Sequence, residues 1–136
     1  MSLKISALPS SIGLHILLVE DDLLVQMIHR QKLEKLGCIV HVATNGREAL
    51  EKCKNNYGLI LLDWGLPDID GIQVCRGIRQ YEHINELPRV PIVMITAYPR
   101  TPEAEQICHE AGADAVIVKP IVEDQIWQQL ALNQFK

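Results

Sequence analysis

Three tetrapeptides, Ile16-Leu17-Leu18-Val19, Leu59-Ile60-Leu61-Leu62 and Ile92-Val93-Met94-Ile95, are apolar without interruption. A strand with one wet face alternates apolar and polar residues. A strand covered on both faces reads as a continuous apolar run. Strand-length segments fall at 15–20, 39–43, 59–63, 91–96 and 115–118, and helical patterns separate them. Over 23–36, Leu24, Val25, Ile28, Leu33 and Leu36 share a broad stripe, and Ala49, Leu50 and Cys53 mark a short second helix. Val74, Cys75 and Ile78 mark a third. Ala104, Ile107, Cys108 and Ala111 follow the i, i+3, i+4, i+7 spacing of a fourth, and Val122, Ile126 and Leu130 mark a fifth. Asp70 and Thr101, the latter followed by Pro102, are placed to cap helices. Gly37 and Gly112 stand where helices should end with positive φ. Five strand–helix units imply a three-layer α/β domain, a parallel sheet with helices on both faces.

The 136 residues suit one domain, which is expected over 15–134. Pro9-Ser10-Ser11 and Gly13 make residues 1–14 read as a linker or tail, without the pattern of a signal peptide. With 48% hydrophobic and 22% charged residues, the chain is neither disordered nor collagen-like. Thirteen Lys and Arg against seventeen Asp and Glu give a net charge of −4, which disfavours direct nucleic-acid binding. The apolar runs are far below the ~18 residues of a membrane span. Cys38, Cys53, Cys75 and Cys108 form no CxxC pair and read as small buried hydrophobes in a reducing cytoplasm. His15, His29, His41, His83 and His109 lack ligand spacing and are expected at the surface or partly buried.

Each apolar strand ends in polar residues: Glu20-Asp21-Asp22, Asp63, Thr96 and Lys119. In a parallel sheet these C-terminal ends share one edge, where open α/β sheets bind ligands. Carboxylates gathered there repel; two unit charges 4 Å apart cost about 4 kcal/mol at an effective dielectric near 20. Either one acid keeps its proton or a cation binds, and hard oxygen ligands suit Mg²⁺. Such a metal would orient a phosphoryl group, with Asp63 as nucleophile, Lys119 as a second positive charge and Thr96 as a hydrogen-bond donor. Taken singly, each of these residues has a plainer role. Asp22 can simply cap the following helix, Thr96 can be an ordinary strand end and Lys119 a solvated charge.

These residues resemble the receiver domain of two-component response regulators over about 15–133. The segments that carry the likeness are Ile16 to Asp22, Leu62-Asp63-Trp64-Gly65-Leu66-Pro67-Asp68-Ile69-Asp70-Gly71, Ile95-Thr96-Ala97, Gly112-Ala113-Asp114 and Val118-Lys119-Pro120. The resemblance implies a flavodoxin-like (βα)5 fold with strand order 2-1-3-4-5. It implies Asp63 as phosphoacceptor, taking phosphoryl from a histidine kinase or a histidine phosphotransfer protein. Glu20, Asp21, Asp63 and the Gly65 backbone carbonyl would hold Mg²⁺ (or Mn²⁺). Lys119 and Thr96 would contact the phosphoryl group, and a cis Lys119–Pro120 bond would aim the lysine. The output surface would lie at about 102–133 and bind a downstream protein.

The chain departs from the family where many members carry an aromatic switch residue: here the position is Val116, partner to the moving Thr96. Ile121 replaces a frequent Phe. Tyr98, two past Thr96, is expected to screen the site and slow hydrolysis. The role implied is that of a signalling domain rather than a turnover enzyme, with self-phosphorylation and slow self-dephosphorylation. It would be cytoplasmic, either as a stand-alone regulator or as the receiver of a hybrid sensor kinase, in which case it would be tethered to a membrane sensor. Gly37-Cys38, the Asn45-Gly46 turn and Pro120-Ile121 look similar to hybrid-kinase receivers. A haloacid-dehalogenase-like phosphatase would need a second acid where Gly65 stands. A flavodoxin-like cofactor binder would need a phosphate-cradling loop where three acids lie. A phosphorylation-independent pseudo-receiver would not need all five site residues.

Overall fold

The computed structural model describes residues 13–97, 100–119 and 121. Along the chain lie β1 (His15–Val19), α1 (Leu23–Lys35), β2 (Ile39–Ala43), α2 (Gly46–Lys52), β3 (Leu59–Asp63), α3 (Gly71–Ile84), β4 (Ile92–Thr96), α4 (Pro102–Ala111) and β5 (Ala115–Val118). The five strands form one sheet of order β2-β1-β3-β4-β5, every neighbouring pair parallel. This is the flavodoxin-like order that the resemblance implied. The fifth helix expected around Val122, Ile126 and Leu130 lies outside the described residues.

The period of two along each strand divides the core. Leu17, Val19, Ile60, Leu62, Ile92 and Met94 pack with Ala49 of α2, Ile72, Val74, Cys75 and Ile78 of α3, and Cys108 and Ala111 of α4. Ile16, Leu18, Leu59, Leu61, Val93 and Ile95 face the other way and pack with Leu33, with Leu36 at the end of α1, and with Ile117 and Ile121. β3 and β4 are buried at every residue, which explains their unbroken apolar runs. All four cysteines are free; Cys38, Cys75 and Cys108 are buried and Cys53 half-buried. Burial pushes the thiols of the three buried cysteines up to about 11, so they behave as hydrophobes.

α1 corrects the sequence reading. Leu24 and Ile28, placed on the core stripe, are 65% and 42% exposed, while His29 is buried. The buried face runs through Val25, His29, Leu33 and Leu36, the i, i+4, i+8, i+11 row. Apolar residues at Leu23, Leu24, Met27 and Ile28 continue around to solvent. The other four histidines are exposed as expected.

Local chemistry starts and stops the helices. Asp22, Asn45, Asp70 and Thr101 cap α1 to α4 with side-chain oxygens accepting from amides of the first turn. Gly37 and Gly112 take φ of 89° and 106°, conformations L side chains rarely adopt. At the start of α3, Gly71 donates its amide to the Trp64 carbonyl at 2.8 Å. A Cβ on Gly71 would lie 2.5 Å from the Asp63 carbonyl oxygen and 2.7 Å from Trp64 Cα. Gly71→Ala must therefore push the end of β3 away from α3. The expected loss is about 1–3 kcal/mol of stability, measurable as a lowered urea midpoint with unchanged slope.

Candidate active site

β1, β3 and β4 end in step, so their last residues reach the same edge. Val19 pairs with Leu62, and Asp63 pairs with Ile95. β5 joins on the far side with Thr96 opposite Val118, and the Lys119 amide donates to the Thr96 carbonyl at 2.8 Å. A cavity of about 780 Å³ opens at this edge, lined by Glu20, Asp21, Asp63, Gly65, Thr96 and Lys119 among others. The structure thus brings together every residue the sequence assigned to phosphoryl or metal contact.

The electrostatics follow from burial. Glu20 is 1% and Asp63 5% exposed, and carboxylate oxygens of Glu20, Asp21 and Asp63 lie within 4.8 Å of one another. Lys119 Nζ sits 2.9 Å from Glu20 Oε1 and 3.3 Å from Asp63 Oδ2. One ammonium faces two buried carboxylates, so the charges do not balance. Burial pushes the Glu20 carboxyl above its ordinary value; the Lys119 hydrogen bond opposes this and the Asp63 charge adds to it. For Lys119 burial acts downward, but the Glu20 hydrogen bond and the two carboxylate charges outweigh it and hold the ammonium above its ordinary value. The set fits a hard divalent cation: three oxygen donors of one sign, a deficit of positive charge, and one acid driven toward its neutral form.

Backbone contacts fix the acids. The Asp22 amide donates to Glu20 Oε2 at 3.2 Å, and Gln26 Nε2 donates to the Glu20 carbonyl at 2.6 Å. The Gly65 amide donates to Asp63 Oδ1 at 3.2 Å. Asp22 itself faces the cavity but spends one carboxylate oxygen on the amides of Leu24 and Val25, the capping role allowed for it. Two contributors escaped the sequence reading. Asp68 accepts from the amides of Gly46 and Arg47 at 2.8 and 3.0 Å, tying the loop after β3 to the start of α2. Gln26 lies one turn into α1 and carries no motif that marks it.

Val116 stands apart from the cavity. It is 8% exposed on β5 and lines a separate groove with Arg100, Glu105 and His109. Arg100 Nη1 donates to the Val116 carbonyl at 3.1 Å. Tyr98 and Pro120, and with Pro120 the expected cis bond, lie outside the described residues.

A profile of the response regulator receiver domain matches residues 16–131. The chain belongs to the response regulator receiver domain family. It is a receiver domain of two-component signalling with the CheY-like fold. It is 36% identical over 113 residues to the peroxide stress-activated histidine kinase mak1 of Schizosaccharomyces pombe, covering 80% of this chain and 7% of that protein. It is 39% identical over 107 residues to the transcriptional regulatory protein SrrA of Staphylococcus aureus, covering 77% of this chain and 41% of that protein. The chain therefore spans less than half of either relative. The receiver domain of the sensor histidine kinase PA1611 from Pseudomonas aeruginosa, solved with magnesium coordinated in its active site cleft, superposes with a TM-score of 0.76 at 31% identity over 88% of this chain and 96% of that one. A co-crystal of the Saccharomyces cerevisiae phosphotransfer protein Ypd1 with the Ssk1 receiver domain gives 0.82 at 26% identity, covering 88% of each chain. Among the described residues no helix is long and apolar enough to cross a membrane.

The raised Glu20 carboxyl has a consequence for stability in chelator. The folded state keeps the Glu20 proton to higher pH than the unfolded state, so this group stabilises fully below its ordinary value of 4.5. That contribution is lost as pH rises through the folded value. Urea unfolding of metal-free protein at a series of pH values should show wild type losing stability relative to Glu20→Gln as pH climbs above 4.5. An unchanged difference across the series would contradict it.

Proposed function

We propose that Asp63 accepts a phosphoryl group from a phosphohistidine, with Mg²⁺ (or Mn²⁺) held by Asp21, Glu20, Asp63 and the Gly65 carbonyl. The observation that carries this reading is a buried Asp63 carboxylate held by Lys119 beside two further acids. An Asp63 carboxylate oxygen attacks phosphorus, the P–N bond breaks and its electron pair returns to the imidazole nitrogen. The product is an acyl phosphate on Asp63. Water adding later to phosphorus returns inorganic phosphate and the carboxylate, the self-dephosphorylation expected of this domain. The bound divalent ion would neutralise the charge that accumulates on the phosphoryl oxygens. Lys119 is placed to follow those oxygens, since Nζ already contacts Asp63, and Thr96 borders the same cavity.

The added group brings up to two negative charges next to Thr96 and Lys119. We assign the response to the surface at about 102–133, of which α4 and β5 are described, and its reader to a downstream protein. The donor is a histidine kinase or a phosphotransfer protein. Asp22, the cap of α1, and Val25 of its first turn line the cavity, and Leu23, Leu24 and Met27 beside them are 71%, 65% and 63% exposed. A partner delivering phosphoryl to Asp63 must cover this apolar ledge. The parent protein we assign to a hybrid sensor kinase, in line with the kinase relative and the kinase receiver structure above, which leaves the domain cytoplasmic and tethered through its parent.

Intact-mass spectrometry after incubation with Mg²⁺ and acetyl phosphate should show a single phosphoryl adduct, absent from Asp63→Asn and from chelated samples. No adduct from this donor or from a phosphohistidine protein would leave a phosphorylation-independent interaction module. Met27→Glu should slow transfer from a phosphorylated phosphotransfer protein about tenfold more than it slows uptake from acetyl phosphate, the loss of one well-packed apolar contact at an interface. Stopped-flow transfer kinetics check the ratio.

A further inference from the structure

α1 carries an unusual residue at the centre of its buried face. His29 is 1% exposed, and its Nε2 accepts a hydrogen bond from the Ile121 amide at 3.2 Å. One turn on, Lys32 Nζ donates to the Ile121 carbonyl. α1 thus grips both backbone polar groups of Ile121, whose side chain is fully buried, two residues beyond Lys119.

The ring chemistry is determined by this contact. Nε2 must present its lone pair to the Ile121 N–H, so the ring proton sits on Nδ1. Among the described residues Nδ1 has no hydrogen-bond partner. A leucine would fill this place without a buried ring N–H, but it would leave the Ile121 amide without an acceptor. What the histidine adds is the acceptor for Ile121. Burial, then the charges of Lys32 and Lys119, lower its pKa to about 4, so the ring stays neutral and the acceptor persists at neutral pH.

The position of the clamp matters because of what Lys119 must do. β5 ends at Val118, and the Lys119 amide is tied to the Thr96 carbonyl on the upstream side. Downstream, Ile121 is the described anchor. Between these two ties Lys119 must hold Nζ 2.9 Å from Glu20 and 3.3 Å from Asp63. We propose that His29 is a positioning residue for phosphoryl transfer: with Lys32 it fastens the Ile121 backbone to α1 and so aims Lys119 at Asp63. This rests on Asp63 being the phosphoacceptor.

The test is the rate of phosphoryl uptake from acetyl phosphate with saturating Mg²⁺, followed by intact mass on the whole chain. His29→Leu keeps the packing and removes the acceptor. It should slow uptake about tenfold, as expected when a reacting group is misplaced by a fraction of an ångström. His29→Gln, whose amide oxygen can accept from Ile121, should recover to within about threefold of wild type. Lys32→Met, a partly exposed site, should slow uptake in the same direction and serves if His29→Leu does not fold. In a Lys119→Met background, the His29 and Lys32 substitutions should change the remaining slow uptake by less than about twofold, because the residue they act through is gone. Wild-type rates in His29→Leu and Lys32→Met would overturn the inference. So would a loss of the same factor with Lys119 absent, which would make the clamp a matter of general stability. No adduct on the wild-type chain would instead overturn the phosphoacceptor reading, and this inference with it.

Discussion

A single ammonium set against two buried carboxylates organises this edge of the molecule. Lys119 bridges Glu20 and Asp63 across the sheet, joining the end of β5 to the ends of β1 and β3. Breaking such a pair by removing one partner is costly, because an uncompensated charge stays buried. The bridge is nonetheless incomplete, since one positive charge cannot answer three neighbouring acids. That shortfall of positive charge suits the cavity to a hard divalent cation. The stable part of the protein supplies the rigidity for this. Strands covered on both faces hold Asp63 and Thr96 where loops alone could not.

The sequence exposed the strongest parts of this arrangement because strand burial leaves a plain trace. A run of four apolar residues followed by Asp63 or by Glu20-Asp21-Asp22 marks both a buried strand and its functional end. The capping residues and the helix-ending glycines were equally readable, since their chemistry is local. Strand order was not, because periodicity says which segments are strands and nothing about which are neighbours. The order came with the family resemblance and agrees with the sheet.

The failures fall where tertiary contacts decide. α1 has apolar residues around more than half its circumference, so periodicity could not tell the buried arc from the exposed one. Placing Leu24 and Ile28 inside required leaving His29 outside, and the fold does the reverse. Nothing local marks a histidine whose acceptor role depends on a backbone amide 92 positions away. Asp68 is similar, since it lies in the loop after β3 and its partners Gly46 and Arg47 lie in α2. Both residues hold backbone segments that flank the charged site residues, one beyond Lys119 and one beyond Asp63.

Val116 raises a different question of mechanics. A ring can swing between an inward and an outward rotamer, whereas a valine is stiff at χ1 and too small to sweep a surface. Val116 is also buried in the core cluster that faces α3 and α4. Arg100, ahead of α4, also reaches β5. Its Nη1 holds the Val116 carbonyl at 3.1 Å, and its Nε pairs with Glu105 of α4 at 2.6 Å. Arg100 is 55% exposed, so its ion pair is weak and readily exchanged. Val116 therefore fills space in the core, while Arg100 holds its carbonyl from the surface.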